Sequence, residues 1–224
     1  MGGAAGGELA SILAAEIILE ELEAPDTASD THLPLRLRHA VETANTRIHH
    51  EARHNPRLWG MGTTATVAAI FDDQLYLAQI GDSRAYLIRA GTAHQLTHDQ
   101  SRVQALIDAG VLTPEDAARS AERHIILQAL GPDPEVDVDL TRQTLRRGDI
   151  LLLSSDGLHG IIDDEIAQLA AHHDPAAACQ ALIDLANQRG GPDNITVVIM
   201  HLDGPDLPEP GPGDTVMRQP YPPA

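Results

Sequence analysis

The 224-residue chain contains no lysine, so all 15 basic residues other than histidine are arginine. Chemistry that needs a lysine amine, such as a Schiff base or the lysine of a nucleotide-binding P-loop, is thereby excluded. Cysteine is nearly absent as well. The single Cys179 lies in an apolar, helix-like stretch, cannot form an internal disulfide and reads as a core residue, which suits a reducing compartment. Positive charge is scarce: 33 acidic against 15 basic residues give a formal net charge of −18. Neutralising phosphates takes a basic face, so the balance argues against nucleic acid as a partner, and the acidic surface serves solubility. Long apolar runs are missing too. The stretch 12–19 is broken by Glu16 and followed by Glu20, Glu21 and Glu23, so neither a signal peptide nor a membrane span is expected. Met1-Gly2 lacks the Ser or Thr at position 6 that N-myristoylation uses.

What is present suffices for a core. Hydrophobic residues make up 42% of the chain, which reads as one domain over 1–203. From Gly204 the composition turns to Pro, Gly and Asp without periodic apolar residues, and a disordered tail or linker is expected over 204–224. Helical spacing of Leu9, Ile12, Leu13, Ile17 and Leu22 predicts an amphipathic helix over 8–23. After a turn-rich 24–31, a second helix is predicted over 35–54, with Leu37, Val41, Ala44, Ile48 and Ala52 on one side and Pro56 ending it. Strands are predicted at 63–71, 74–80 and 84–89, joined by short hairpin connections. Short helices follow at 101–109 and 113–121, the second with Thr113 as N-cap, Pro114 in its first turn and Asp116 at the capping-box position. Strands at 136–141, 149–153 and 195–202 and helices at 163–171 and 174–188 complete an α+β layered domain.

Two short motifs carry the chemistry: Ser154-Ser155-Asp156-Gly157-Leu158 and, thirty-seven positions on, Gly190-Gly191-Pro192-Asp193-Asn194-Ile195-Thr196. Each joins an aspartate to turn residues beside an apolar run, so both carboxylates are expected at strand ends, held by the ladder yet open to solvent. Hard divalent cations select oxygen ligands, and carboxylates from separate strands can hold them. Either motif alone is more often a plain turn, because Asp-Gly and Pro-Asp-Asn are common turn builders.

Taken together, six segments resemble the metal-dependent protein phosphatase family, PPM type or protein phosphatase 2C-like, in its bacterial form. They are Met1-Gly2-Gly3, Met61-Gly62-Thr63-Thr64-Ala65-Thr66, Ile80-Gly81-Asp82-Ser83-Arg84-Ala85-Tyr86, Leu96-Thr97-His98-Asp99-Gln100-Ser101, Ser155-Asp156-Gly157-Leu158 and Gly191-Pro192-Asp193-Asn194-Ile195-Thr196. The resemblance implies a four-layer αββα sandwich, two central antiparallel sheets flanked by helices, with the first strands missing. It implies hydrolysis of phosphoserine and phosphothreonine by a metal-activated water, with two to three Mn2+ or Mg2+ ions. It also implies phosphorylated proteins as partners, an opposing Ser/Thr protein kinase, a role in signalling, no membrane or nucleic acid, and a cytoplasmic location. By resemblance Asp156, Asp193 and Asp99 are metal ligands, Asp99 at a weaker third site, while Asn194, Asp82 and Ser155 support them; no side chain is assigned as a catalytic acid. The family's first ligand is an aspartate in an Asp-Gly-Met-Gly-Gly segment, and this sequence begins at its Met, so an N-terminally incomplete domain is expected. Gly160 stands where many relatives carry another aspartate. Weak metal binding and slow or absent turnover are expected from both departures.

Two other readings compete. A pseudophosphatase that keeps the fold as a binding module is favoured by the missing ligands. A zinc metallopeptidase is suggested by His50-Glu51-Ala52-Arg53-His54, which fits H-E-x-x-H. At about 100° per residue, however, His50 and His54 fall roughly 200° and 240° from Ile48, on the solvent side of the helix. His172 and His173 are expected at the surface as well.

Overall fold

The computed structural model describes residues 3–23, 33–159, 165–172, 174–191, 193–211 and 213–221. The turn expected at 24–31, Gly160, the start of the helix expected from 163, and His173 lie outside them.

Helices α1 (Gly3–Glu23) and α2 (Leu33–His54) form the first layer. The face of α2 predicted from periodicity is buried: Leu37, Val41, Ala44, Ile48 and Ala52 all enter the core. In α1 the stripe differs from the predicted one. Ala10, Ala14, Ile17 and Ile18 are buried, whereas Ile12 is 48% exposed. Small alanines allow α1 to approach its neighbour closely, so the contact face runs along them and not through every large apolar residue.

The first sheet has strand order β1 (Ala65–Phe71), β2 (Gln74–Ile80), β5 (Asp139–Thr144), β8 (Gln219–Pro220). The second has the order β4 (Thr92–Gln95), β3 (Arg84–Arg89), β6 (Asp149–Ser154), β7 (Val197–Leu202). Among the described residues every strand pairing is antiparallel. Between β4 and β5 lie the short helices α3 (Arg102–Asp108) and α4 (Pro114–Arg119). Ser101 caps the first through Gln104 N–H; Thr113 and Asp116 bond reciprocally at the start of the second. Helices α5 (Ile166–Ala170) and α6 (Pro175–Gln188) form the fourth layer.

Hydrophobic cores between successive layers hold them together. Ala78, Ile80 and Leu140 of the first sheet pack on α1 and α2. Leu75, Leu77, Leu87 and Leu151 fill the space between the sheets. Tyr86, Ile88 and Leu152 pack on Ile166, Leu182 and Ala186 of the last helices. This is the αββα sandwich expected above.

Three local features depart from the sequence reading. β4 is too short and polar to show a period, and it exists because it pairs with β3 across the two-residue turn at 90–91. The strand expected at 136–141 lies three residues further on, because the register places Gln74–Gln79 against 139–144. The segment after Gly204, expected to be a disordered tail, is laid along the domain: Leu207 and Val216 pack on the core between the sheets. Arg146 binds Asp214 at 2.7 and 3.0 Å, and Tyr221 N–H donates to Leu140 O at 2.7 Å. Composition missed these anchors because they are single residues spaced irregularly among prolines.

Candidate active site

Antiparallel ladders place the end of β2, the start of β3, the end of β6 and the start of β7 at one end of the sandwich. Three aspartate-bearing turns meet there, one following β2, one following β6 and one preceding β7.

The turns after β6 and before β7 are joined through Ser155. Its hydroxyl donates to Asn194 O at 3.2 Å and accepts from Thr196 N–H at 3.0 Å, while Ser155 N–H donates to Thr196 O at 3.1 Å. A Cβ on Gly157 would lie 2.3 Å from Asn194 O, so only glycine permits this approach. Asp156 and Asp193 are thereby carried on adjacent turns. Asn194 acts through its main chain: its N–H donates to Asp193 Oδ1 at 2.7 Å. Both Asp193 and Asn194 are exposed.

The turn between β2 and β3 carries Asp82 and is held from several sides. Gln79 Nε2 donates to Gly81 O and Ser83 O at 3.0 and 2.8 Å. Gln100 brackets Gly81, its Oε1 accepting Gly81 N–H at 2.7 Å and its main-chain N–H donating to Gly81 O at 3.0 Å. Thr64 and Thr66 hold Ser83 at 2.9 and 3.1 Å. Gly81 has φ +98, and an added Cβ would meet Thr64 Cγ2 at 2.4 Å, so glycine is required twice over. His159 Nε2 lies 3.0 Å from Asp82 O, linking this turn to the one that carries Asp156.

Asp82 is only 8% exposed. Burial, then the charges of Asp156 and Asp99, push its carboxyl up to about 6, against weaker opposing effects of its own main-chain N–H and Arg84. The charge of Asp156 thus acts on Asp82 as like on like, and such an accumulation of negative charge attracts a cation.

Asp99, expected at a weaker third metal site, forms an ion pair with Arg84. Both of its oxygens are engaged: Arg84 Nε lies at 2.9 and 3.1 Å, Arg84 Nη2 at 2.8 Å, and Gln95 Nε2 at 3.0 Å. The bidentate guanidinium makes Asp99 an anchor for Arg84 in this structure and leaves Asp82 as the less encumbered carboxylate.

The donor chemistry fits a hard divalent cation only in part. Carboxylates from Asp156, Asp82 and Asp193 are of the right kind, and Ser154 Oγ, two residues before Asp156, is buried without a hydrogen-bond partner among the described residues. Among those same residues, however, no group of three His, Cys, Asp or Glu side chains is arranged to hold a metal ion, so water has to complete any coordination shell. The His50/Glu51/His54 motif lies on the outer side of α2, with all three residues exposed. His50 and His54 stack at a centroid distance of 4.0 Å, and His54 Nδ1 lies 2.7 Å from His50 O, an arrangement directed at the helix and not at a shared ion.

Sequence reasoning passed over Arg84, Gln79, Gln95, Gln100 and His159. Arg84 and Gln100 lie inside the quoted segments; the other three carry no local signal.

The fold and this acidic end define the class to which the sequence segments pointed, an αββα phosphatase-type sandwich. Comparison with known proteins agrees. The family profile described as protein phosphatase 2C matches residues 2–104. Protein phosphatase PhpP of Streptococcus pneumoniae is 40% identical over 207 residues, spanning 90% of this chain and 84% of that protein. Serine/threonine protein phosphatase PstP of Mycobacterium tuberculosis is 40% identical over 200 residues, 89% of this chain but 38% of PstP, so the chain spans little more than a third of that relative's length. Among solved structures, the M. tuberculosis serine/threonine phosphatase PstP/Ppp superposes with a TM-score of 0.83 at 40% identity, covering 91% of this chain and 86% of that one. The catalytic domain of PstP in complex with two manganese ions gives 0.78 at 40% identity, covering 89% and 83%. The chain belongs to the protein phosphatase 2C family.

Proposed function

We propose that the chain is a serine/threonine phosphoprotein phosphatase that depends on a divalent cation, Mn2+ or Mg2+, and that it works in the cytoplasm opposite a Ser/Thr protein kinase in signalling. The observation that carries this reading is the meeting of three aspartate turns at one end of the sandwich, in a chain 40% identical to named phosphatases.

In this reading Asp156 and Asp193 supply cation ligands from their adjacent turns. Asp82 replaces Asp99 as the third carboxylate, because the oxygens of Asp99 are already taken by Arg84 and Gln95. A divalent cation held there supplies positive charge for a substrate's phosphoryl oxygens and lowers the pKa of a water nucleophile. Ser155 and the Asn194 main chain keep the two ligand turns in register, and Gln79 and Gln100 keep the Asp82 turn in place. The raised Asp82 carboxyl means that uptake of a cation releases a proton at mildly acidic pH.

The test is manganese-dependent hydrolysis of p-nitrophenyl phosphate and of a phosphothreonine peptide. Activity that disappears in chelator and falls at least a hundredfold, on the order of 3 kcal/mol of transition-state stabilisation, in Asp156→Ala supports the reading. Metal-independent turnover, or turnover indifferent to Asp156, refutes it. A second reading, a binding module without turnover, is favoured by the lack of a closed three-ligand group among the described residues. It requires phosphopeptide binding with no hydrolysis in saturating manganese.

A further inference from the structure

Like charges carried on neighbouring turns repel, so the turns bearing Asp82 and Asp156 gain from a tether that does not depend on a bound ion. Asp82 and Asp156 are 74 positions apart in sequence. Main-chain pairing of β3 with β6 brings the two regions together only as far as Arg84 and Ser154, and leaves the turns beyond the ladder. Among the described residues, the side chain that reaches from the Asp156 turn to the Asp82 turn is that of His159, whose ring Nε2 lies 3.0 Å from Asp82 O. A carbonyl oxygen only accepts, so Nε2 carries the hydrogen and donates it.

We propose that His159 is a positioning residue of the cation site, a tether from the turn bearing Asp156 to the backbone of Asp82. The inference rests on the reading that Asp156 and Asp82 flank the cation. The role assigned to His159 is neither ligation nor proton transfer: it holds Asp82 by the peptide carbonyl and leaves the carboxylate to the cation site. The rest of the Asp82 turn is fixed to β1, β2 and the segment at 100, through Thr64, Thr66, Gln79 and Gln100. His159 therefore supplies the cross-link from the turn beyond β6. Without it the two turns relax apart under their mutual charge, and a cation has to draw them together again, which weakens its binding.

The experiment is a calorimetric titration of manganese(II) alone into the full chain and three variants, with thermal melting in chelator as the check on folding. His159→Ala is expected to weaken manganese affinity about tenfold, in the range typical of residues that orient metal ligands. His159→Gln, whose amide can donate to the same carbonyl, is expected to recover most of that loss. Asp156→Ala is expected to abolish the site. If His159→Ala binds manganese as tightly as the parent while Asp156→Ala does not bind, the tether is wrong and the cation site stands. If His159→Ala and His159→Gln are equally impaired, the ring acts by packing and the hydrogen-bond tether is overturned. If Asp156→Ala still binds, the underlying site assignment fails instead. A lowered melting temperature accompanied by unchanged affinity likewise overturns the proposal.

Discussion

Strand β3 carries an arginine near each end, and the two ends of the sandwich treat their charges differently. At the far end Arg89 binds Asp149 with Nε at 2.8 Å and Nη2 at 2.6 Å, the two residues being 7% and 1% exposed. Thr144 O and Arg146 N–H complete the set at 2.9 and 2.8 Å. Positive and negative charge are matched there, and the pair closes the core between strands. At the site end Arg84 is likewise matched by Asp99, but burial and then the charge of Asp156 raise the Asp82 carboxyl despite the nearby guanidinium. One end uses its charges for structure; the other keeps an electrostatic conflict that a cation can resolve.

The comparison breaks most sharply at the far end. Asp149→Ala strands the Arg89 guanidinium in the core, and a loss of about 3–5 kcal/mol in urea unfolding is expected. Asp82→Asn has the opposite sign. The native state raises this carboxyl from 3.8 to about 6 and so binds its proton more tightly than the unfolded chain does. Parent stability therefore falls as pH climbs through that window, and the asparagine variant escapes the loss. In chelator above the window it is expected to gain up to roughly 3 kcal/mol over the parent, a difference that vanishes at the acid side. Melting curves across pH check it, and a variant less stable than the parent at neutral pH contradicts the conflict. The smallest effect belongs to Asp99→Asn. Arg84 is 19% exposed and also donates to Tyr86 OH at 3.1 Å, so water and tyrosine share the loss and about 1–3 kcal/mol is expected. A cost equal to that of Asp149→Ala would show that the two pairs are equivalent.

Much of the fold was legible because its periods are simple. The face of α2, the strands 74–80 and 84–89, and the cap at Thr113 follow from apolar spacing and from residues that bond their own backbone. The lost elements are those that exist only through a neighbour: β4, the register of β5, and the anchored segment after Gly204. The site shows the same division. The Asp156 and Asp193 turns were readable from turn chemistry, whereas the ion pair of Asp99 was not, because no spacing reveals that Arg84 reaches across 15 positions to bind it.

No helix among the described residues is long and apolar enough to cross a membrane. The sequence by itself determined the layered α+β class, which rests on local period and turn residues, and pointed to the family through the segments that resemble it. Which carboxylates are satisfied and which are left in conflict was decided only by the tertiary structure. Charge interactions depend on distance and burial, and both are set by strand pairing between segments far apart in the chain.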